Sequence, residues 1–249
     1  MSAPRTPLRG ARPPWGSSKV AKPHLLESYW GTAAHDHLLI KICGVRAPAD
    51  VEAALHGGAQ LIGLVFVPGS PRRLDLARAR ELRQVIGTRA RAVGVFMDQP
   101  RAEVLELGRA LRMDALQLHG AEPLAEWREA GWPIIKRVKP QAGSVPLRCD
   151  NVLWLLDPGA GQGLVHDWNG ADIDARESMV AGGLDPDNVA GIVRATTARG
   201  VDVSSGVEGP DGQKNPDAIV AFCAAARDAF ERRGSPEGAS TSVAERVCA

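Results

Sequence analysis

The chain has 249 residues, of which 44% are hydrophobic, and its 30 Lys and Arg against 29 Asp and Glu give a formal net charge of +1. So small a net charge argues against a dedicated nucleic-acid binder, and no apolar run approaches the roughly 18 residues that a membrane-spanning helix needs. The four cysteines form no CxxC pair, which argues against a zinc site or a disulfide framework. We therefore expect a cytoplasmic globular protein with neither nucleic acid nor a membrane as partner.

The two ends of the chain differ in composition from the middle. Residues 1–37 contain repeated prolines and no acidic residue before Glu27, and residues 233–249 are rich in Gly, Ser and Glu. Both segments are predicted to be disordered, because neither shows the periodicity of an element that packs on a core. A transit peptide is the alternative for the basic N-terminal arm, although its prolines oppose an amphipathic helix. Residues 38–232 are left as a single domain.

Short aliphatic or β-branched runs alternate with helical periodicity through that domain. Eight runs are predicted as strands, at 38–43, 60–67, 92–97, 115–119, 133–138, 152–157, 179–182 and 201–204. Six segments are predicted as helices, at 48–55, 76–86, 101–111, 123–130, 186–197 and 216–230, and the segments 141–150 and 167–178 as weak helices at best. Eight such units favour a closed parallel (β/α)8 barrel, with a doubly wound open sheet as the alternative.

Enzymes with this barrel carry their sites at the C-terminal ends of the strands. Side chains alternate across a strand, so a register that turns Ile40 and Ile42 towards the helices turns Lys41 and Cys43 into the barrel. The same counting places further polar residues on inward-facing positions near strand ends: Gln117 and His119, Asp157, and Asp202 with Ser204. Such residues need partners or a task in a barrel interior, where aliphatic side chains normally pack.

Each of these residues also has a structural interpretation. A lone buried cysteine is more often inert than reactive, although Lys41 on the same face would lower the pKa of the Cys43 thiol and keep part of it ionised near neutral pH. Asp157 before Pro158 is equally typical of a turn, and His119 of a hydrogen-bonded core histidine. Asp202 is expected to form an ion pair with Lys41 once the barrel closes.

Basic and glycine-containing segments follow other predicted strands. Arg72 is placed either in a solvated loop or where it clamps a carboxylate. The segments AGGL at 181–184 and SSGVE at 204–208 follow the seventh and eighth strands, where such barrels habitually bind phosphate. They predict a small phosphorylated substrate, with two ordinary turns as the alternative. The run GAGQG at 159–163 has the wrong spacing for a dinucleotide fingerprint and is interpreted as a loop beside Asp157.

Together these motifs resemble the phosphoribosylanthranilate isomerase family of tryptophan biosynthesis over about residues 38–230. The segments that carry the resemblance occur in barrel order: KICG at 41–44, FVPGSPR at 66–72, GVF at 94–96, QLHG at 117–120, LD at 156–157 with DW at 167–168, AGGL at 181–184 and VDVSSGVE at 201–208. Two positions depart from the family's usual loop after the acid, namely Gln162 in place of threonine and His166 in place of phenylalanine.

The resemblance implies an Amadori rearrangement of N-(5-phosphoribosyl)anthranilate that needs no metal or organic cofactor. It implies Asp157 as the general acid that opens the furanose ring and Cys43 as the general base that removes the C2 proton. It places Arg72 against the anthranilate carboxylate. The remaining expected substrate-binding residues are Gln117, His119, Asp202 and Ser204 around the pocket, with Gly182, Gly183, Ser205 and Gly206 at the phosphate.

Three questions stay open at this stage. The related isomerase of histidine biosynthesis is one rival. Its members resemble each other in having an aspartate at the end of the first strand, where this chain has Cys43. A non-catalytic phosphate-binding barrel is the other rival. The surface does not choose between a monomer and a homodimer.

Overall fold

The computed structural model describes residues 30, 38–127, 129–140, 151–159, 168 and 178–233. Several predictions fall outside these described residues. They concern most of the N-terminal arm, the tail beyond Arg233, the segment 141–150 and nearly all of the stretch 160–177, including Gln162 and His166.

Eight parallel strands close into a barrel in which each strand pairs with the next and the last returns to the first. They are β1 (Leu39–Cys43), β2 (Leu61–Val65), β3 (Arg91–Phe96), β4 (Ala115–Leu118), β5 (Ile134–Val138), β6 (Val152–Leu156), β7 (Ser178–Val180) and β8 (Gly200–Val203). The closing register sets Lys41 opposite Asp202. The predicted (β/α)8 barrel is confirmed, and the open sheet is excluded.

Helices cover the outside of the barrel. They are α1 (Pro48–His56), α2 (Leu76–Ile86), α3 (Arg101–Ala110), α4 (Val189–Ala195) and α5 (Pro216–Arg232). Proline in the first turn starts α1 and α5, where a missing N–H costs nothing. The side chain of Asp75 accepts a hydrogen bond from the Arg78 amide and so caps α2. None of the helices in the described ranges is long and apolar enough to span a bilayer.

The helix predicted over 123–130 is wrong in extent, because only a 3₁₀ turn forms at Leu124–Glu126. Pro123 precedes this turn, and Gly131 adopts a positive φ of 80° shortly after it. So short a segment gains little from its own hydrogen bonds. The turn is stabilised by the ring of Trp127, which is only 2% exposed and packs in the core between strands and helices.

The strands lie between two apolar layers, one against the helices and one inside the barrel. Ile40 and Ile42 pack with the helices, whereas Leu39 belongs to a separate cluster inside the barrel. Trp30 also belongs to that inner cluster, although it lies in the range predicted as a disordered arm. Burying a large indole ring outweighs the local composition at this one residue.

The first residue of the predicted C-terminal tail contacts the barrel. Arg233, assigned to the tail, donates hydrogen bonds to the carbonyl oxygens of Val193, Thr196 and Ala198 at the end of α4, at 3.0–3.4 Å. These hydrogen bonds hold Arg233 against the barrel.

Candidate active site

The floor of the site is a buried ion pair between β1 and β8. The Lys41 ammonium donates to both carboxylate oxygens of Asp202, at 2.9 and 3.0 Å, and both side chains are nearly inaccessible to solvent. Burial alone would lower the pKa of Lys41, but the charges of Asp202 and Cys43 outweigh it and raise that pKa. The expected ion pair is present, so Lys41 is a charged ammonium beneath the mouth of the barrel.

Cys43 lies on the same inward face as Lys41, as predicted from the alternation of the strand. Burial raises the pKa of the Cys43 thiol, and the charge and hydrogen bond of Lys41 offset only part of that rise. The expectation of a partly ionised thiol near neutral pH is therefore corrected. Lys41 acts in the predicted direction, but desolvation of the thiolate is the larger effect.

A glycine of β2 makes room for this pair. A β-carbon added at Gly63 would stand 2.8 Å from the Cys43 sulfur, 3.1 Å from the Cys43 Cα and 3.2 Å from the Lys41 ammonium. Gly63 was not among the site residues predicted from the sequence. Its place on an inward-facing position opposite Cys43 in the β1–β2 register was the available signal.

Asp157 follows β6 and is held by donors on two sides. One carboxylate oxygen accepts from the Gly159 amide at 2.9 Å, and the other stands 3.4 Å from His119 Nε2. Gln117 Nε2 lies 3.1 Å from the other ring nitrogen of His119. Burial would raise the pKa of Asp157, but these hydrogen bonds and the charges of His119 and Arg137 lower it overall. The predicted residues Gln117, His119 and Asp157 are thus brought together, with one ring nitrogen of His119 facing each of the other two side chains.

Arg137 is a second residue at this site that was not predicted from the sequence. It follows Ile135, a member of the inner cluster, by two positions on β5 and so faces inward. Its Nε donates to the backbone carbonyl of Asp157 at 3.0 Å, while its Nη2 is buried without a hydrogen-bond acceptor. An inward-facing arginine within a strand was the signal in the sequence.

Arg72 lies in the loop after β2 and is already paired. Its Nε and Nη2 donate to the two carboxylate oxygens of Glu208, each at 2.7 Å. Lys214 donates to the same carboxylate at 2.7 Å and to the Ser204 carbonyl, also at 2.7 Å. The Ser204 hydroxyl in turn donates to the Cys43 carbonyl at 3.1 Å. The loops after β1, β2 and β8 are thereby joined by one polar network.

The two glycine-containing segments lie side by side after β7 and β8. Gly182 and Gly183 both have positive φ, 88° and 67°, which few other residues tolerate. Ser205 and Gly206 begin the 3₁₀ turn Ser205–Val207, and a β-carbon on Gly206 would stand 1.8 Å from the Leu184 carbonyl oxygen. Backbone of the two segments is therefore in direct contact.

Comparisons with known proteins agree with this geometry. A family profile described as N-(5'-phosphoribosyl)anthranilate (PRA) isomerase matches residues 40–225. The chain is 44% identical over 214 residues to the N-(5'-phosphoribosyl)anthranilate isomerase of Bradyrhizobium sp. (strain BTAi1 / ATCC BAA-1182), covering 78% of this chain and 97% of the relative. It is 42% identical over 214 residues to the enzyme of the same name from Rhodopseudomonas palustris (strain BisB18), covering 78% and 98%.

Solved structures give the same result. A phosphoribosyl anthranilate isomerase from Thermus thermophilus has a TM-score of 0.64 and 31% identity, covering 76% of this chain and 98% of that one. Another, in complex with reduced 1-(o-carboxyphenylamino)-1-deoxyribulose 5-phosphate, has a TM-score of 0.64 and 26% identity, covering 77% of this chain and all of the other.

Proposed function

The chain belongs to the phosphoribosylanthranilate isomerase family, and from that premise we propose that Asp157 and Cys43 are the acid and base of its reaction. The reaction is the Amadori rearrangement of N-(5'-phosphoribosyl)anthranilate to 1-(2-carboxyphenylamino)-1-deoxyribulose 5-phosphate, a step of tryptophan biosynthesis. One observation carries the assignment: both residues lie at inward-facing positions at the same mouth of the barrel. Cys43 is the last residue of β1, and Asp157 directly follows β6.

In the first step Asp157 gives its proton to the furanose ring oxygen. The bond from that oxygen to C1 breaks, and the lone pair of the anthranilate nitrogen forms a C1=N iminium. When Asp157 has lost this proton, it is a carboxylate that the Gly159 amide and His119 already face. Donors fixed before the reaction stabilise the charge without reorganisation.

In the second step the Cys43 thiolate removes the proton from C2 of the iminium. The C–H electrons form a C1=C2 bond and neutralise the iminium nitrogen, which gives an enolamine. Proton transfer from the C2 hydroxyl to C1 then yields the ketone. Lys41 stabilises the thiolate, since both its charge and its hydrogen bond act in that direction.

The substrate's phosphate is assigned to the segments after β7 and β8. The backbone amides of Gly182, Gly183, Ser205 and Gly206 supply donors there without bulky side chains. Gln117 and His119 line the pocket beside the acid, Asp202 lies below it on β8, and Ser204 directly follows that strand. Relatives include one from Thermotoga maritima described as dimeric and also obtained as monomers, so both a monomer and a homodimer are compatible with the proposal. A cytoplasmic location is proposed for the same biosynthetic role.

The test is the loss of anthranilate-type fluorescence when the protein is added to freshly formed phosphoribosylanthranilate. We expect rapid loss with the wild type and a reaction slower by about 100- to 10,000-fold with Cys43→Ala or Asp157→Asn, because acid–base groups typically contribute about 10²–10⁴-fold each. Cys223→Ala is the matched control, since this buried cysteine belongs to α5 and packs against Gly57 at the C-terminal end of α1, away from the mouth.

The two rivals predict other outcomes. A ligand-binding barrel without catalysis predicts phosphate-competitive binding but no fluorescence loss with the wild type. A histidine-pathway isomerase predicts turnover of that pathway's aminoaldose phosphate and its retention in Cys43→Asp. The family match and the paired acid and base favour neither rival.

A further inference from the structure

A second buried ion pair lies on the outer side of the barrel wall, at β5 and the loop after β4. Lys136 follows Ile135, a member of the inner cluster, on β5 and so faces the outside of the barrel. Its ammonium donates to the Glu122 carboxylate at 2.7 Å and to the Gly120 carbonyl at 2.8 Å. The side chains of Lys136 and Glu122 are only 10% and 6% exposed.

Asp98, in the loop after β3, joins this pair. The other carboxylate oxygen of Glu122 accepts from the Asp98 amide at 2.8 Å, and the Asp98 side chain accepts from the Ala121 amide at 2.7 Å. Asp98 has a φ of 55°, a left-handed conformation that Asp tolerates better than most residues. A β-carbon on Gly120 would stand 2.3–2.5 Å from the Asp98 carboxylate, so this close approach needs glycine. We call Lys136, Glu122 and Asp98 the outer network.

The outer network holds the segment that carries His119. The His119 amide donates to the Phe96 carbonyl at 2.9 Å. The outer network then binds the carbonyl of Gly120 and the amide of Ala121, so the backbone is fixed at three consecutive residues. The ring of His119 stands on the other side of the wall, with Nε2 3.4 Å from Asp157. A shift of this backbone would therefore move the ring relative to the acid.

Stability alone does not account for a buried ion pair at this place. Taking two charges out of water is costly, and a well-packed apolar pair of similar volume is often as stable. An ammonium has three donors and a carboxylate has two acceptor oxygens, so one pair can fix several backbone groups at once. Lys136 and Glu122 do so for the loops after β4 and β3, and apolar side chains could not.

We propose that Lys136, Glu122 and Asp98 are positioning residues for the His119 ring that faces the acid. The inference deepens the proposed function and rests on it, because the three residues act through His119 and Asp157. Loosening the outer network should slow the proton transfer at Asp157 and so lower kcat. It should change KM little, since the segments assigned to the phosphate follow β7 and β8, far from β4 in the strand order.

The experiment is a double-mutant cycle with His119. Turnover of phosphoribosylanthranilate is measured for Lys136→Met and Asp98→Gly, each in the wild type and in His119→Ala. Glycine suits the positive φ of residue 98, so Asp98→Gly removes the carboxylate without backbone strain and covers the case that Lys136→Met does not fold. Asp98→Asn keeps an acceptor oxygen for the Ala121 amide and is the conservative variant.

Arg83→Met is the control for a purely structural ion pair. The Arg83 guanidinium stands 3.5 Å from the Asp114 carboxylate, directly before β4 and thus at the opposite end of that strand from His119. It also donates to the carbonyl oxygens of Gly87 and Arg112. This variant should lower the urea midpoint of unfolding and leave kcat unchanged, with or without His119.

We expect Lys136→Met to lower kcat by about 10- to 100-fold and Asp98→Gly by about 3- to 10-fold, because small displacements at a reacting centre are costly. In His119→Ala each substitution should lower kcat by less than about twofold, since the ring through which it acts is absent. KM should change by less than about threefold throughout, and Asp98→Asn should stay within about threefold of the wild type in kcat.

Two outcomes would overturn the inference. One is an equal loss of kcat in the two backgrounds, which would mean that the outer network supports the barrel as a whole rather than His119. The other is a wild-type kcat in Lys136→Met or, where that variant does not fold, in Asp98→Gly. Failure of the proposed function is distinct, because the wild type itself would then show no turnover of phosphoribosylanthranilate.

Discussion

At the scale of single residues, burial gives the acid and the base opposite resting states. Desolvation raises the pKa of Cys43 above its usual 9.0, whereas hydrogen bonds and positive charges lower that of Asp157 below 3.8 despite its burial. At neutral pH the free site therefore holds a thiol and a carboxylate. The reaction needs the reverse, a carboxylic acid and a thiolate, and this form contains the same number of protons.

The first prediction concerns the pH dependence of this pair. Because the resting and reactive forms carry one proton each, their ratio does not change between the two pKa values, and the rate of the bound substrate should be flat from about pH 5 to pH 8.5. The rate falls only below the pKa of Asp157 or above that of Cys43. Single-turnover rates across this range provide the measurement. A tenfold rise per pH unit would contradict the assignment, because it would mean that the thiolate alone limits the rate.

The second prediction concerns Gly63, whose missing side chain leaves room for the thiol and the ammonium. Gly63→Ala puts a methyl group within 2.8 Å of the Cys43 sulfur, so the sulfur has to move. A displacement of this size at a reacting group can cost about 100-fold in kcat. We expect that loss together with a decrease of about 1–3 kcal/mol in the free energy of unfolding from overpacking.

The control for Gly63 is Gly191→Ala in α4. A β-carbon there meets nothing within 4 Å. Alanine favours a helix over glycine by about 1 kcal/mol, so this variant should keep its activity and be slightly more stable. If Gly63→Ala kept its kcat as well, the proposed position of the reacting thiol would be wrong.

At the scale of elements, the loops after β7 and β8 act as one unit because their backbones touch. A β-carbon on Gly206 would stand 1.8 Å from the Leu184 carbonyl oxygen and 3.1 Å from the Asp185 Cα. Neither obstacle is a flexible side chain. The 3₁₀ turn Ser205–Val207 therefore has to move away from the loop after β7 if residue 206 gains a methyl group.

The third prediction follows from that contact. Gly206→Ala should raise KM and weaken competitive inhibition by inorganic phosphate by about 10- to 100-fold, since amide donors lose their alignment with the anion. The kcat should fall much less, because Cys43 and Asp157 lie on other strands. Steady-state kinetics with phosphate as inhibitor test this split. An unchanged inhibition constant would show that phosphate binds elsewhere.

The elements also show which features of the structure could be predicted from the sequence. The alternation of strand and helix patterns along the chain was enough to predict the barrel. The period of two within β1 was enough to predict the inward face of Lys41 and Cys43, because it is a local property. The short 3₁₀ turn at Leu124–Glu126, which replaces the helix predicted over 123–130, and the contact of Arg137 with Asp157 were not predictable in that way. They depend on the packing of Trp127 and on a contact across β5 and β6, which no local pattern encodes. Arg72 was found, but its pairing with Glu208 joins residues 136 positions apart.

At the scale of the whole molecule, the barrel has a reactive end and a structural end. Polar residues gather where the strands finish, whereas the inner apolar cluster reaches Leu39 at the start of β1 and includes Trp30. The Trp30 carbonyl accepts a hydrogen bond from Arg199, which immediately precedes β8. Trp30 therefore packs at the N-terminal ends of the strands, away from the site. In barrels of this kind that end serves stability rather than chemistry.

The last prediction separates these two ends. Trp30→Ala should lower the free energy of unfolding by about 3–5 kcal/mol, the usual cost of removing a large buried aromatic ring. At a temperature where the variant is folded, kcat and KM should match the wild type. Urea unfolding followed by circular dichroism gives the first quantity, with Leu76→Ala as control, because Leu76 is 38% exposed and its truncation leaves little cavity. A chain that starts at residue 38 should lose as much stability as Trp30→Ala. If both keep the stability of the wild type, Trp30 is not packed in the inner cluster in solution, because removing a buried indole ring would leave a cavity that lowers the free energy of unfolding.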